Sequence, residues 1–209
     1  LTSIKGFAET LLNSDFEDRA LSERFLTIIN NETDRMISLI NDLLDLSRIE
    51  SGKQPLKKSA VDMKQVFEDT VLMLKNKADA KGVTIENNIY TSVMVEGDEK
   101  LLKQVALNLV DNGVKYNSEG GKVWIEAEQG LDSVEFIVGD TGLGIATEHL
   151  DRIFERFYRV DKGRARHMGG TGLGLAITKH IIDKHKGTSA IESRVGKGTK
   201  IRITLKKVT

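Results

Sequence analysis

Over the first fifty residues, apolar positions recur at helical spacing. Phe25, Ile29, Met36, Leu39, Leu43 and Leu46 follow one another by threes, fours and sevens along a single stripe, which Ile28, Ile40 and Leu44 widen. Glu32 interrupts the seam, and the turn and capping residues of Asn13-Ser-Asp-Phe-Glu-Asp18 break the pattern ahead of it. The spacing therefore predicts a short helix over about 2–13, a turn, and a long helix over about 20–51. The stripe is wider than a two-stranded coiled coil needs, and two helices cannot enclose it. A symmetric four-helix bundle built by two chains is the simplest way to bury it.

Ser51-Gly-Lys-Gln-Pro55 holds the single proline and is read as a hinge between a helical module, 1–54, and a second module, 55–209. In the second module the period changes. Helix is predicted at 62–81, where Val66, Val71, Leu74 and Ala78 share a face, and again at 98–116 behind an Asp98 cap and at 172–186. Strands are predicted at 83–89, 93–97, 122–128, 133–139, 188–194 and 199–206, and 141–171 reads as glycine-rich loop. Helices gathered on one face of a sheet give the expected class: α+β, a two-helix hairpin followed by a two-layer α/β sandwich.

Composition narrows the chemistry. Lys plus Arg equals Asp plus Glu at 31 each, so no net field favours nucleic acid or anionic lipid, and no nucleic-acid partner is expected. With no cysteine, disulfides and thiolate metal sites are excluded, which suits a reducing cytosol. No apolar run approaches the roughly 20 residues of a membrane span.

The candidate chemistry lies between Asn108 and Thr199. Asn108 and Asn112 are four apart on a predicted helix, so both amides leave one face, and amide oxygens are hard neutral donors suited to Mg²⁺ with phosphates and water. An isolated pair of helical asparagines is otherwise an ordinary solvent-facing feature. Lys115 could reach phosphate oxygens and Tyr116 could cover a base. Asp140 ends an apolar strand and must find a donor there: the exocyclic amine of adenine is one, although Asp-Thr-Gly also makes a plain Asx turn. Gly169-Gly-Thr-Gly-Leu-Gly174 opens a helix, where main-chain N–H groups can close on an anion. A basic loop rather than a strand precedes it, so a dinucleotide-binding βαβ unit is disfavoured. Among Arg156, Arg159, Lys162, Arg164 and Arg166, Arg159 is the favoured phosphate ligand and the others read as a solvated charged loop.

Taken in order, these strings resemble the kinase core of two-component sensor histidine kinases, closest to the phosphate-regulon and cell-wall sensor types. Asn108 to Tyr116 is similar to the family's N box, Asp140 to Gly144 to its first glycine box and Phe154 to Phe157 to its F box. Gly170 to Gly174 matches the second glycine box and Gly196 to Thr199 the last. The resemblance implies ATP and Mg²⁺, the metal on Asn108 and Asn112, phosphates on Lys115 and Arg159, the adenine amine on Asp140, and Tyr116 beside the base. It carries nucleotide contacts to Gly142, Gly144, Ile145, Tyr158, Gly170, Thr171, Gly172, Leu173 and Gly174, makes Thr199 a support of Asp140 through water, and makes 155–171 a mobile ATP lid. It also implies a homodimer through the 1–51 helices, a response-regulator receiver domain as partner, and a cytoplasmic position within a membrane-anchored sensor.

One position sets the resemblance apart from related ATPases, and others depart from the family's pattern. Related ATPases of the gyrase and mismatch-repair types have a water-activating glutamate where Asn108 stands, and an amide is no base. Ala146 replaces a usual proline, and Gly113 a usual alanine, at about 1 kcal/mol if it is interior to the helix. The family's His-Glu-x-x-Thr/Asn-Pro box would lie just before Leu1-Thr-Ser-Ile-Lys, so the acceptor histidine is expected upstream. His149, His167, His180 and His185 read as surface or packing residues. Two rivals stay open: a noncatalytic nucleotide-dependent interaction module, and a stand-alone ATPase. The chain is expected to take no phosphate onto itself when incubated with γ-labelled ATP; acid-labile label on it would count against that.

Overall fold

The computed structural model describes residues 2–13, 18–50, 55–160 and 170–208. The expected hinge at 51–54, the basic run from Lys162 to His167 and Gly169 fall outside the described residues.

Helix α1 (Thr2–Leu12) packs against α2 (Arg19–Glu50), with the Phe7 and Phe25 rings 5.1 Å apart. Asp18 caps α2, its carboxylate accepting from the Leu21 N–H at 2.9 Å. The stripe along α2 divides between two destinations. Leu46 and Ile49 are buried against the core of the second module, with Leu39 packed beside them, whereas Ile40, Leu43 and Leu44 stay exposed in the single chain. The periodicity alone predicts a bundle seam along the whole stripe; part of it turns to the sandwich instead because a wide stripe presents two edges.

The second module begins with β1 (Ser59–Asp62) and α3 (Met63–Ala80), then β2 (Thr84–Asn87), β3 (Met94–Gly97) and α4 (Glu99–Lys115). It continues with β4 (Lys122–Gln129), β5 (Ser133–Asp140), a one-turn α5 (Thr147–Leu150), α6 (Gly174–Lys184), β6 (Thr188–Arg194) and β7 (Gly198–Lys206). Five strands form a mixed sheet in the order β2-β4-β5-β7-β6, with β2 parallel to β4 and the other pairs antiparallel. The strand expected at 93–97 does not join it; β3 pairs with β1 in a separate two-stranded sheet. Strand β1 escaped the sequence pattern because Val61 is its sole buried residue, and one apolar position has no period. Helix α5 lies within a stretch expected to be loop.

Helices α3, α4 and α6 cover one face of the sheet. Phe67, Leu102, Leu109, Phe136, Ile177, Ile181 and Ile203 are essentially inaccessible there and form the core. The other face carries charge, with Arg202 paired to Glu135 at 3.5 Å and to Glu192, and Lys200 standing 5.7 Å from the Trp124 ring centroid. This is the α/β sandwich expected, preceded by its helical hairpin. No helix among the described residues is long and apolar enough to cross a membrane.

One buried histidine fixes the two helices that flank the candidate site. His185, just after α6, is 4% exposed. Its Nδ1–H donates to the Ile181 carbonyl at 2.8 Å and its Nε2 accepts the Asp98 main-chain N–H at 2.9 Å, so the ring joins the end of α6 to the start of α4. Gly97 is the residue against which the ring rests; a Cβ there would lie 3.0 Å from His185 Cδ2. Both nitrogens are satisfied only in the neutral tautomer, and burial pushes the pKa below its ordinary value. Since the unfolded chain then binds the proton more readily, stability is full at neutral pH and declines as pH falls through the unfolded value near 6.5. Urea unfolding between pH 7.5 and 5 should give a steeper pH slope for the native chain than for His185→Ala, the difference reaching at most about 1.4 kcal/mol per pH unit. Parallel slopes would show that the ring titrates freely.

Candidate functional site

The site is organised by a row of residues running across the sheet on its helix-covered face. Val123 of β4 is opposite Asp140 of β5, Asp140 is opposite Thr199 of β7, and Thr199 is opposite Ser193 of β6. Directly opposed residues in antiparallel strands project to the same face, so these four side chains share one side. Helix α4 passes above them. Gly113 is buried there, and a Cβ at that position would meet Val123 Cγ2 at 3.0 Å and Asp140 Cβ at 3.6 Å. The helix-propensity cost expected of Gly113 is thus offset by room for the strand row, since alanine would fit only if Val123 shifted.

Asp140 is half-buried, and among the described residues no cation stands beside it. Its Oδ1 accepts the Gly142 N–H at 2.8 Å; burial raises its pKa, and the Gly142 and Thr199 main-chain N–H groups draw it back. Gly198 makes the approach of β7 possible. It has φ of +85°, and any Cβ would collide with the Asp140 carbonyl. The loop after Asp140 is clipped to the end of α4 by Leu143 N–H to the Tyr116 carbonyl at 3.1 Å, and a side chain on Gly142 would strike that same carbonyl.

Positive charge gathers at the C-terminal end of α4. Lys115 is pulled down to about 8 by burial; Asp111 opposes the shift, while the charges of Lys77, Arg159 and Lys81 add to it. The Lys81 ammonium donates to the Val114 carbonyl at 3.0 Å and also to the Lys115 carbonyl, holding the helix end. Lys115 Nζ stands 5.4 Å from the Tyr116 ring centroid, and a Cβ on Gly170 would lie 2.7 Å from Lys115 Nζ and 3.1 Å from the Tyr116 hydroxyl. Arg159 faces Lys115 and Tyr116 electrostatically, and its Nε and Nη2 are buried without a hydrogen-bond partner among the described residues. Buried guanidinium N–H groups left unpaired are unusual and point to an absent anion.

The second glycine box meets α4 at Asn108, whose amide nitrogen donates to the Gly174 carbonyl at 3.1 Å and so leaves Oδ1 as an acceptor. Asn112 follows one turn later. Among the described residues no cluster of three or more His, Cys, Asp or Glu could hold a metal, so a divalent ion here would depend on amide oxygens, phosphates and water. Gly172 has φ of +75°, and its carbonyl accepts the N–H of Phe157, itself at φ of +62°. That bond ties the F box to the glycine box and restrains a left-handed phenylalanine that would otherwise cost about 1–2 kcal/mol.

Three expected contacts have other partners. Leu173 is 0% exposed and its N–H goes to Thr171 Oγ1 at 3.2 Å, so its side chain anchors the loop in the core instead of lining the pocket. The Tyr158 hydroxyl is held by His149 Nδ1 at 2.7 Å, with the Arg152 guanidinium 4.3 Å from its ring centroid. The Ile145 N–H donates to Ser193 Oγ at 2.8 Å, and Gly144 is pressed against the Arg194 carbonyl. Sequence reasoning missed Ser193, which sits in no glycine box, and missed Asp42. Asp42, on α2, accepts from Thr171 Oγ1 at 2.7 Å, while Asp45 one turn later accepts from Gln104 Nε2 at 3.1 Å. Nothing in the periodicity of α2 marks those two carboxylates, because both read as solvent-facing.

Residues 97–209 match the family of histidine kinase-, DNA gyrase B- and HSP90-like ATPases, and residues 1–52 match the His Kinase A (phospho-acceptor) domain. The sensor protein kinase WalK of Staphylococcus saprophyticus is 37% identical over 208 residues, covering 98% of this chain; the chain spans 34% of that relative's length. The histidine kinase AdeS of Acinetobacter baumannii superposes with a TM-score of 0.79 at 27% identity, covering 100% of this chain and 95% of that one. The histidine kinase ThkA, solved in complex with the response regulator protein TrrA, gives 0.77 at 25% identity, covering 99% of this chain and 57% of that one. With these two domain matches and this degree of identity, the chain belongs to the histidine kinase-, gyrase B- and HSP90-like ATPase family and, within it, to the sensor histidine kinases.

Proposed function

We propose that the chain binds ATP with Mg²⁺ and delivers the γ-phosphoryl group to a histidine, from which it passes to an aspartate of a response-regulator receiver domain. The acceptor would lie upstream of α1. Two of the described histidines have other engagements that support this: His185 is locked by two hydrogen bonds and His149 holds Tyr158. The proposed assembly is a homodimer through α1 and α2, which would cover the exposed edge formed by Ile40, Leu43 and Leu44.

The observation that carries the proposal is the Arg159 guanidinium, whose Nε and Nη2 are buried without a hydrogen-bond partner among the described residues, together with a half-buried Lys115 whose pKa burial has lowered. A polyphosphate would discharge both. At the opposite end Asp140 offers a carboxylate to a base bearing an amine. Tyr116 would flank the base, and main-chain groups of Gly142, Gly144, Gly170, Thr171, Gly172 and Gly174 would line the path between. Asn108 and Asn112 would hold Mg²⁺, whose contribution when bound is to neutralise charge on the phosphate oxygens. Because an amide cannot take a proton from water, Asn108 leaves ATP intact until the histidine is presented; catalysis is then mainly positioning and charge neutralisation. ThkA's complex with a regulator supports the choice of partner by analogy.

Isothermal calorimetry with the magnesium complex of a non-hydrolysable ATP analogue tests the assignment. Asp140→Asn should weaken binding by about 10- to 100-fold, the size of a hydrogen bond to a charged group. Arg159→Gln should weaken the triphosphate by about as much yet leave adenosine unchanged. No heat from the native chain would end the proposal.

Asp42 adds an opposing charge. Burial raises its pKa, the Thr171 hydroxyl lowers it, and Asp45 raises it while Lys115 lowers it, so its charged form is penalised where it stands. Through Thr171 and Lys115 it engages two groups assigned here to the nucleotide, and its carboxylate would repel a phosphate. Asp42→Asn keeps an acceptor for Thr171 and removes the charge. It should tighten nucleotide binding a few-fold at low salt, with the gain shrinking at 0.5 M salt; equal affinity at both salt concentrations would place Asp42 clear of the phosphates.

A further inference from the structure

Ser193 occupies the end of the transverse row, and its hydroxyl has three neighbours at hydrogen-bond distance. The Ile145 N–H approaches at 2.8 Å, the Gly198 carbonyl lies at 2.8 Å and the Thr199 hydroxyl at 2.8 Å. A serine hydroxyl holds one proton and two lone pairs. A carbonyl can only accept, so the proton of Ser193 must point to Gly198; an amide N–H can only donate, so one lone pair takes Ile145. The remaining lone pair faces Thr199, and that 2.8 Å contact is satisfied only if Thr199 donates.

The direction of one proton is thereby settled two residues away from the base pocket. With its hydrogen committed to Ser193, Thr199 presents only lone pairs toward Asp140, which stands opposite it on the same face of the sheet. Asp140 is likewise an acceptor. The end of the pocket that meets the base edge then contains side-chain acceptors only, able to receive an amine directly or through a water that donates to them. A base presenting a carbonyl at that position would meet three sets of lone pairs and find no side-chain donor.

We infer that Ser193 is a positioning residue which, by fixing the Thr199 hydroxyl as a donor to itself, makes the base-edge end of the pocket acceptor-only and so sets its preference for a purine with a 6-amino group over one with a 6-oxo group. The inference rests on the nucleotide assignment made above. It gives a role to a side chain that touches neither base nor phosphate, and it explains why Ile145, just after the first glycine box, and the last box, through Gly198 and Thr199, converge on one hydroxyl.

The readout is selectivity, since a purely structural role would weaken all nucleotides alike. Affinities for ATP and ITP, which differ at the 6-position by amine against carbonyl, are measured with Mg²⁺ on the native chain and on variants. In Ser193→Ala the Thr199 hydroxyl loses its acceptor and can turn its proton to a carbonyl, so the ATP-to-ITP preference should fall roughly fivefold, the size of one ordinary hydrogen bond. Ser193→Thr, which keeps the hydroxyl, should restore it. Thr199→Val, of similar shape and without a hydroxyl, should weaken ATP more than ITP and guards against a Ser193→Ala variant that fails to fold. An unchanged preference in Ser193→Ala or in Thr199→Val would overturn the inference while leaving nucleotide binding in place. Absence of binding by the native chain would overturn the nucleotide assignment and this inference together.

Discussion

A carboxylate kept half-buried and bonded by main-chain N–H groups is the constraint on which the rest of this structure turns. A lysine or arginine could neutralise Asp140, but among the described residues Gly142 and Thr199 supply N–H groups instead, while burial penalises its charge. Keeping that group available dictates the local backbone. Gly198 lets β7 approach, Gly142 lets the following loop fold over Tyr116, and Gly113 lets α4 pass above the strand row. Each is a place where a Cβ would push a neighbour away from the carboxylate. At the end of α4 the Arg159 guanidinium has two buried nitrogens with no hydrogen-bond partner among the described residues, close to a Lys115 whose pKa burial lowers. Under the proposed function these groups suit a ligand that is a donor at one end and an anion at the other.

The helical hairpin is joined to this pocket by more than chain connectivity. Leu46 and Ile49 sit in the core of the sandwich, Asp45 accepts from Gln104, and Asp42 accepts from Thr171 within the second glycine box. Helix α2 therefore contributes an anion to the side of the site that is otherwise cationic. Any conformational exchange that moves the hairpin must break these contacts, the one to the second glycine box among them. The ring of His185 does comparable work beneath the site, joining the start of α4 to the end of α6 through a neutral tautomer.

Much of the fold was legible in the chain because long amphipathic runs carry their own period. Helices α1, α2, α3, α4 and α6 and the strands β4 to β7 lie within a few residues of where spacing and caps put them. The short elements did not declare themselves. A four-residue strand such as β1, with only Val61 buried, and a single turn such as α5 contain too few positions to show periodicity. The residues assigned to the site were found because glycines before a helix, paired amides and a strand-ending aspartate are unusual combinations. Ser193 and Asp42 were not, because a serine in a strand and an aspartate on a helix are commonplace and gain meaning only from what faces them.

The sequence by itself determined the hairpin, the sandwich and the order of the chemical groups, since these depend on local periodicity, caps and glycine placement. Tertiary structure alone decided which strand pairs with β3, that the apolar stripe of α2 is shared between two partners, and that Leu173 turns into the core. It alone joined Asp42 to Thr171, and Ile145 and Thr199 to the Ser193 hydroxyl. Those outcomes depend on cross-strand register and helix docking, and a hydrogen bond between groups some 130 positions apart, such as Thr171 to Asp42, leaves no trace in spacing along the chain.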